Sequence, residues 1–140
     1  METKIKVTKL THSDLVDILS TALYGNRIFA ASYNRDIYES IEDKQGECFE
    51  DHLADMLLAG HKITIVDKDA DGSKHSKKNF VRFEGEYQNA VYEVGLKDFL
   101  KAASTPEGYR MVEDMLEGFG DAITGDCFLQ RVVFGEEIYG

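Results

Sequence analysis

Hydrophobic positions in this chain fall into stretches of helical spacing that stop at a glycine and give way to strand-like runs. Three junctions share the pattern: Ala22-Leu23-Tyr24-Gly25 leads into Ile28-Phe29, Leu57-Leu58-Ala59-Gly60 into Ile63-Thr64, and Val132-Val133-Phe134-Gly135 into Ile138-Tyr139. A glycine just past a helix end suits the left-handed conformation that such ends commonly take. The pattern therefore predicts a scaffold in which helices feed strands. It contains no reactive group.

The individual elements follow from period and punctuation. Lys4-Ile5-Lys6-Val7-Thr8-Lys9 alternates strictly, so Met1 to Leu10 reads as a strand with one apolar face. Thr11 and Asp14 form a capping box, Leu10 can staple onto Leu15, and a heavily buried helix runs to about Leu23. Arg27 to Tyr33 is predicted as the second strand, followed by an acidic surface loop ending at Gly46. A helix from about Cys48 to Ala59 carries Phe49, Leu53, Met56 and Leu57 on one face, and Lys62 to Asp67 is the third strand. After a polar excursion, Phe80 opens a fourth strand that Tyr87 to Val94 continues as a hairpin around Gly85.

Leu96, Phe99, Leu100 and Ala103 define a short helix. Thr105-Pro106-Glu107 opens another, with threonine at the cap and proline at the first helical position, and Gly118 closes it. Phe128, Leu129, Val132 and Val133 mark the last helix, and residues 135–140 are expected as a final short strand. The predicted class is α+β: a small, largely antiparallel sheet of about four to five strands covered by helices. A single domain spanning 1–140 accounts for the whole chain, because no linker-like tract interrupts it.

Composition changes the picture in one respect. The formal net charge of −10 opposes nucleic-acid backbone binding, which runs on lysine and arginine. The acid is concentrated: between Asp36 and Asp55 there are eight carboxylates against Lys44 alone. A basic stretch, Lys74, Lys77, Lys78 and Arg82, stands apart from it. Such polarity can steer a protein partner or favour head-to-tail self-association, and it also describes an ordinary solvated surface. No apolar run approaches the ~20 residues needed to span a bilayer, and the two cysteines fit a reducing compartment with both thiols free. The expectation is a cytoplasmic protein without membrane contact or bound cofactor.

Candidate chemistry is sparse. Asp67, Asp69 and Asp71, followed by Gly72, alternate as they would around a hard cation such as calcium. The twelfth position of that loop is Lys78, where a calcium-binding loop has glutamate, and a solvated turn is the competing reading. Cys48, His52 and Asp55 share a helix face without a fourth ligand and read as the flank of the apolar face. Cys48 and Cys127 both fall near expected helix starts, yet each follows a carboxylate that opposes thiolate formation. No dinucleotide loop, Walker loop, nucleophile elbow or zinc-protease motif occurs. Tyr24, Tyr33 and Tyr139 are candidate interface anchors.

Leu15 to Gly25 (LVDILSTALYG), Cys48 to Asp67 (CFEDHLADMLLAGHKITIVD) and Leu129 to Gly140 (LQRVVFGEEIYG) resemble uncharacterised small acidic proteins of bacterial phages and integrative mobile elements of gut commensals. The resemblance implies a shared scaffold and an accessory role, such as modulation of a host or defence protein. The sequence thus points to a non-enzymatic interaction module with Glu39, Glu42, Asp43 and Glu47 as partner-binding candidates. One version is an acidic mimic of DNA. The alternative is a small calcium- or metal-binding module using Asp67 to Gly72.

Overall fold

Helix α1 (His12–Leu23) packs against three other helices and one strand. Its start is built as the sequence predicts. The Thr11 hydroxyl accepts from the Asp14 N–H, the Asp14 carboxylate accepts from the Thr11 N–H, and Leu10 and Leu15 are both buried beside the cap. Leu15, Ile18, Leu19 and Ala22 then bury one side of the helix. A computed structural model provides this description for residues 6–26, 28–69 and 76–139.

Beyond α1 the order is β1 (Phe29–Ser32), α2 (Arg35–Glu39), α3 (Phe49–Leu58), β2 (Ile63–Asp67), β3 (Phe80–Glu84), β4 (Asn89–Val94), α4 (Leu96–Ala103), α5 (Pro106–Leu116) and α6 (Ala122–Phe134). The four strands form one antiparallel sheet in the order β1-β2-β4-β3, which is the α+β class the sequence indicates. Register pairs Ile63 with Val94 and Ile65 with Tyr92, and these side chains join Phe29 and the helices in one core. Phe134 of α6 links the layers: its ring lies 5.7 Å from Phe29 and 5.2 Å from Tyr92. Helices α3, α5 and α6 all pack on α1.

The junction from α3 to β2 shows why glycine recurs. Gly60 has φ +89°, its N–H donates to the Leu57 carbonyl, and the His61 N–H reaches back to Met56. That is a Schellman end, and only glycine takes the left-handed position without cost. Gly125 has a different role. A Cβ there would stand 2.7 Å from the Ala22 Cα and 2.7 Å from the Thr21 carbonyl oxygen, so its hydrogen side chain sets how closely α6 crosses α1.

Four expectations are corrected. Residues 6–10 carry no strand: the Val7 N–H donates to Ser104 Oγ at the end of α4, and residues 1–5 of the expected strand lie outside the described residues. The second strand is shorter than predicted and starts at Phe29, because the Asn26 side-chain oxygen takes the N–H groups of Ile28 and Phe29 into a turn. The acidic loop contains α2, capped by Asn34, whose side chain accepts from the Ile37 N–H. The chain does not end in a strand over 135–139. There the Gln130 Oε1 accepts from both the Ile138 and Tyr139 N–H groups at 2.8 Å, so one side-chain amide supplies what a neighbouring strand would have supplied.

Candidate functional site

The acidic segment becomes a surface through α2, the turn after it and the outer side of α3. Tyr38 is the one buried residue of α2, and it turns the short helix against α3. Its ring stacks 4.2 Å from the His52 ring, and Tyr33 packs 5.4 Å from Tyr38 and 5.8 Å from Phe49. The Tyr33 hydroxyl and His52 Nδ1 share a hydrogen bond of 2.6 Å. This aromatic wedge supports the following turn from beneath.

Asp55 holds that turn in place. Its side chain is buried, and both carboxylate oxygens accept from the Gln45 N–H at 3.1 Å. The Tyr38 hydroxyl reaches it at 3.4 Å, and His12 Nε2 from the start of α1 stands 3.2 Å away. His12 Nε2 also lies 3.8 Å from Asp51, but it makes no well-aligned hydrogen bond to either acid. Burial, with Asp55 alongside, raises the Tyr38 phenol above its ordinary pKa. Gln45, Asp55, Leu58, His61, Glu42 and Asp43 border a cleft of about 350 Å³.

Glu39, Glu42, Asp43 and Glu47 are all exposed, and Glu42 and Asp43 border this cleft. The structure thus brings the four acidic candidates onto one pinned segment. Lys44, the single base among them, lies with Nζ 5.0 Å from the centre of the Tyr38 ring, a cation–π distance.

The other candidates separate. Cys48 is the exposed residue that caps α3, His52 is engaged by Tyr33, and Asp55 by Gln45, so the three do not converge. Among the described residues no group of three or more His, Cys, Asp or Glu could hold a metal ion. Asp67 is buried at the end of β2: it accepts from the Tyr139 hydroxyl at 2.7 Å and from the Asp69 N–H at 2.9 Å. Asp69 is exposed beside it, and Asp71 lies outside the described residues. Burial and Asp67 raise the Tyr139 phenol, and they push Tyr92 up to about 12.

Cys127 is corrected from its expected place near a helix start. It sits well inside α6, and burial, with Glu137 next, pushes its thiol up to about 11, away from nucleophilic chemistry. Both thiols are free. Of the three tyrosines expected as anchors, Tyr24 is 86% exposed, whereas Tyr33 and Tyr139 pack against the core. Among the described residues no helix is long and apolar enough to cross a membrane. Comparison of the chain with protein-family models, curated proteins and solved structures gives no significant match.

The buried Asp55 is the residue that sequence reasoning undervalued. The signal was present: within Leu53-Ala54-Asp55-Met56-Leu57-Leu58 a single acid is embedded in apolar neighbours, which is where a carboxylate acquires a structural task.

Proposed function

We propose that the protein is a non-enzymatic interaction module whose acidic α2–α3 face binds a basic protein partner. The observation that carries this reading is the placement of Glu39, Glu42, Asp43 and Glu47 in solvent on a segment fixed from below by the Asp55–Gln45 contact. Fixed charges bind with less ordering cost than charges on a mobile loop. Their shared sign accelerates encounter with a basic surface and repels acidic ones. The resemblance to phage and mobile-element proteins makes a host or defence protein the target class, with a nucleic-acid groove as one surface such acids would fit.

The test is capture from host lysate at low salt with the tagged protein and its Glu39→Lys/Glu42→Lys/Asp43→Lys variant. A basic protein retained by the native chain, released by about 0.5 M salt and lost with the variant is the expected result. Equal retention by both chains overturns the reading. If the captured protein binds DNA, competition between DNA and the module decides whether the acids occupy the nucleic-acid groove.

A further inference from the structure

Large apolar side chains are seldom left in water, and here three of the four most exposed ones belong to two segments that border one groove. Among the described residues four such side chains exceed 70% exposure: Tyr24 at 86%, Phe119 at 80%, Tyr87 at 76% and Ile123 at 72%. Tyr87 stands alone in the turn between β3 and β4. The other three belong to the two segments that border a groove of about 600 Å³ between the end of α1, the first turn of α3 and the connection from α5 to α6. Tyr24 lines it directly, and Phe119 and Ile123 flank the lining residues Gly120 to Ala122. Exposed apolar side chains bordering a groove mark an interaction surface, and aromatic side chains are the usual anchors of interfaces.

The groove is formed before any partner arrives. The Phe119 and Gly120 N–H groups both donate to the Asp114 carbonyl, at 2.8 and 2.9 Å, which fixes the turn that holds Phe119 outward. A Cβ on Gly120 would stand 2.7 Å from the Met115 side chain, so this turn lies flat on the end of α5. Small residues, Ser20, Thr21 and Ala122, complete the lining and leave room for an inserted side chain. The two charged residues that line it, Glu50 and Asp121, are both acids. Thr124 donates its backbone N–H and its hydroxyl to Asp121, which lowers the pKa of that carboxyl and keeps it ionised.

We infer that this groove receives an amphipathic segment of a basic partner protein, with apolar side chains against Tyr24, Phe119 and Ile123 and lysine or arginine opposite Glu50 and Asp121. The inference rests on the proposed function in taking the partner to be a basic protein, and it adds the apolar anchor that the charged face lacks. Charge selects this occupant over a second copy. A two-fold pair would set this acidic groove against the same acidic groove of its mate, in a chain already at −10.

The probe is a fluorescein-labelled helical peptide of about 18 residues, leucine at positions i, i+3, i+4 and i+7 and lysine elsewhere. Its control has every leucine replaced by glutamine. Anisotropy is read against the native chain, Tyr24→Ser/Phe119→Ser/Ile123→Ser, and Glu39→Lys/Glu42→Lys/Asp43→Lys. Because the three groove residues are exposed, their variant should melt within about 2 °C of the native chain. The expected result is leucine-peptide binding at least about tenfold tighter than that of the control, and at least about tenfold weaker on the groove variant. Equal binding of the two peptides, binding indifferent to the groove variant, or no binding overturns the inference. Control-peptide binding that vanishes only with the acidic variant keeps the charged-face reading and removes the groove. Groove-dependent binding indifferent to the acidic variant does the reverse. A concentration-dependent dimer that the groove variant abolishes makes the occupant a second copy and also overturns the inference.

Discussion

The two ends of α1 meet opposite kinds of surface. At its C-terminal end Ala22 and Thr21 lie against Gly125 of α6, backbone on backbone, and beside them the Asn26 amide bridges the two helices, donating to the Ala22 carbonyl and to Asp126. At its N-terminal end His12 faces Asp55 and Asp51 of α3. The first contact is dispersion and close approach, where a single methyl group decides fit. The second places titratable groups under the acidic face and holds a surface turn in one position. Stability is concentrated at one end of the helix and presentation of charge at the other.

The comparison is broken most severely at the glycine. In an ordinary helix Gly→Ala stabilises by up to about 1 kcal/mol. Gly125→Ala should instead destabilise by about 3 kcal/mol, because the nearest atoms to the new methyl, Ala22 Cα, Thr21 O and Ala22 N, are all backbone and none can rotate away. Urea denaturation checks the sign. A stabilised variant would mean that the two helices slide freely and that the crossing is not tight.

At the other end, Asp55→Ala leaves the Gln45 N–H without its acceptor and should cost about 2 kcal/mol. Asp55→Asn keeps a carbonyl oxygen for Gln45 and should cost less than half as much. Hydrogen exchange separates this from general loosening. The Gln45 amide should lose protection in the alanine variant while Ile63 and Tyr92 in the sheet keep theirs.

The difference between the two ends also explains what could be read from the sequence. Helices α3, α4 and α6 were legible from apolar spacing, and α1 and α5 from spacing joined to a cap, at Thr11 and Thr105. Helix α2 was not, since five residues with a single buried side chain, Tyr38, leave no period to detect among the acids. Alternation at the N-terminus gave a face but no partner strand, and residues 6–10 turned to Ser104 instead. The exposure of Glu39, Glu42, Asp43 and Glu47 followed from charge density alone. The burial of Asp55 was signalled by its apolar neighbours, but its partners Gln45 and His12 come from other parts of the chain and left no local trace. Phe119 had a local cue that went unused: an aromatic between Gly118 and Gly120 sits in a turn, where no helix face can bury it.

The sheet tests the same division through pH. Tyr92 is buried, makes no well-placed hydrogen bond among the described residues, and is pushed up to about 12. A tyrosine whose folded pKa lies above its unfolded value of about 10 stabilises the fold fully below pH 10, and that contribution is lost as pH rises towards 12. Native stability should therefore fall by about 1 kcal/mol between pH 8 and pH 11 from this group. Tyr92→Phe should change stability at pH 7 by less than about 0.5 kcal/mol and flatten the alkaline decline. An unchanged decline would assign it to Tyr139, whose phenol is raised by burial and by Asp67.

The smallest expected effect belongs to the charged face. Glu39→Lys/Glu42→Lys/Asp43→Lys removes exposed acids whose side chains hold no part of the core, so stability should move by no more than about 0.5 kcal/mol. The direction is fixed by the neighbours. With eight carboxylates between Asp36 and Asp55, reversal relieves repulsion and should raise the melting temperature slightly at low salt. At 1 M salt, where the screening length is about 3 Å, the difference should vanish. A large loss of stability would mean that these acids make folding contacts, and the separation between a packed end and a presenting end would fail. A gain at low salt that salt erases would show that the native chain carries this charge at a cost to its own stability, which is the expected signature of a surface kept for a partner.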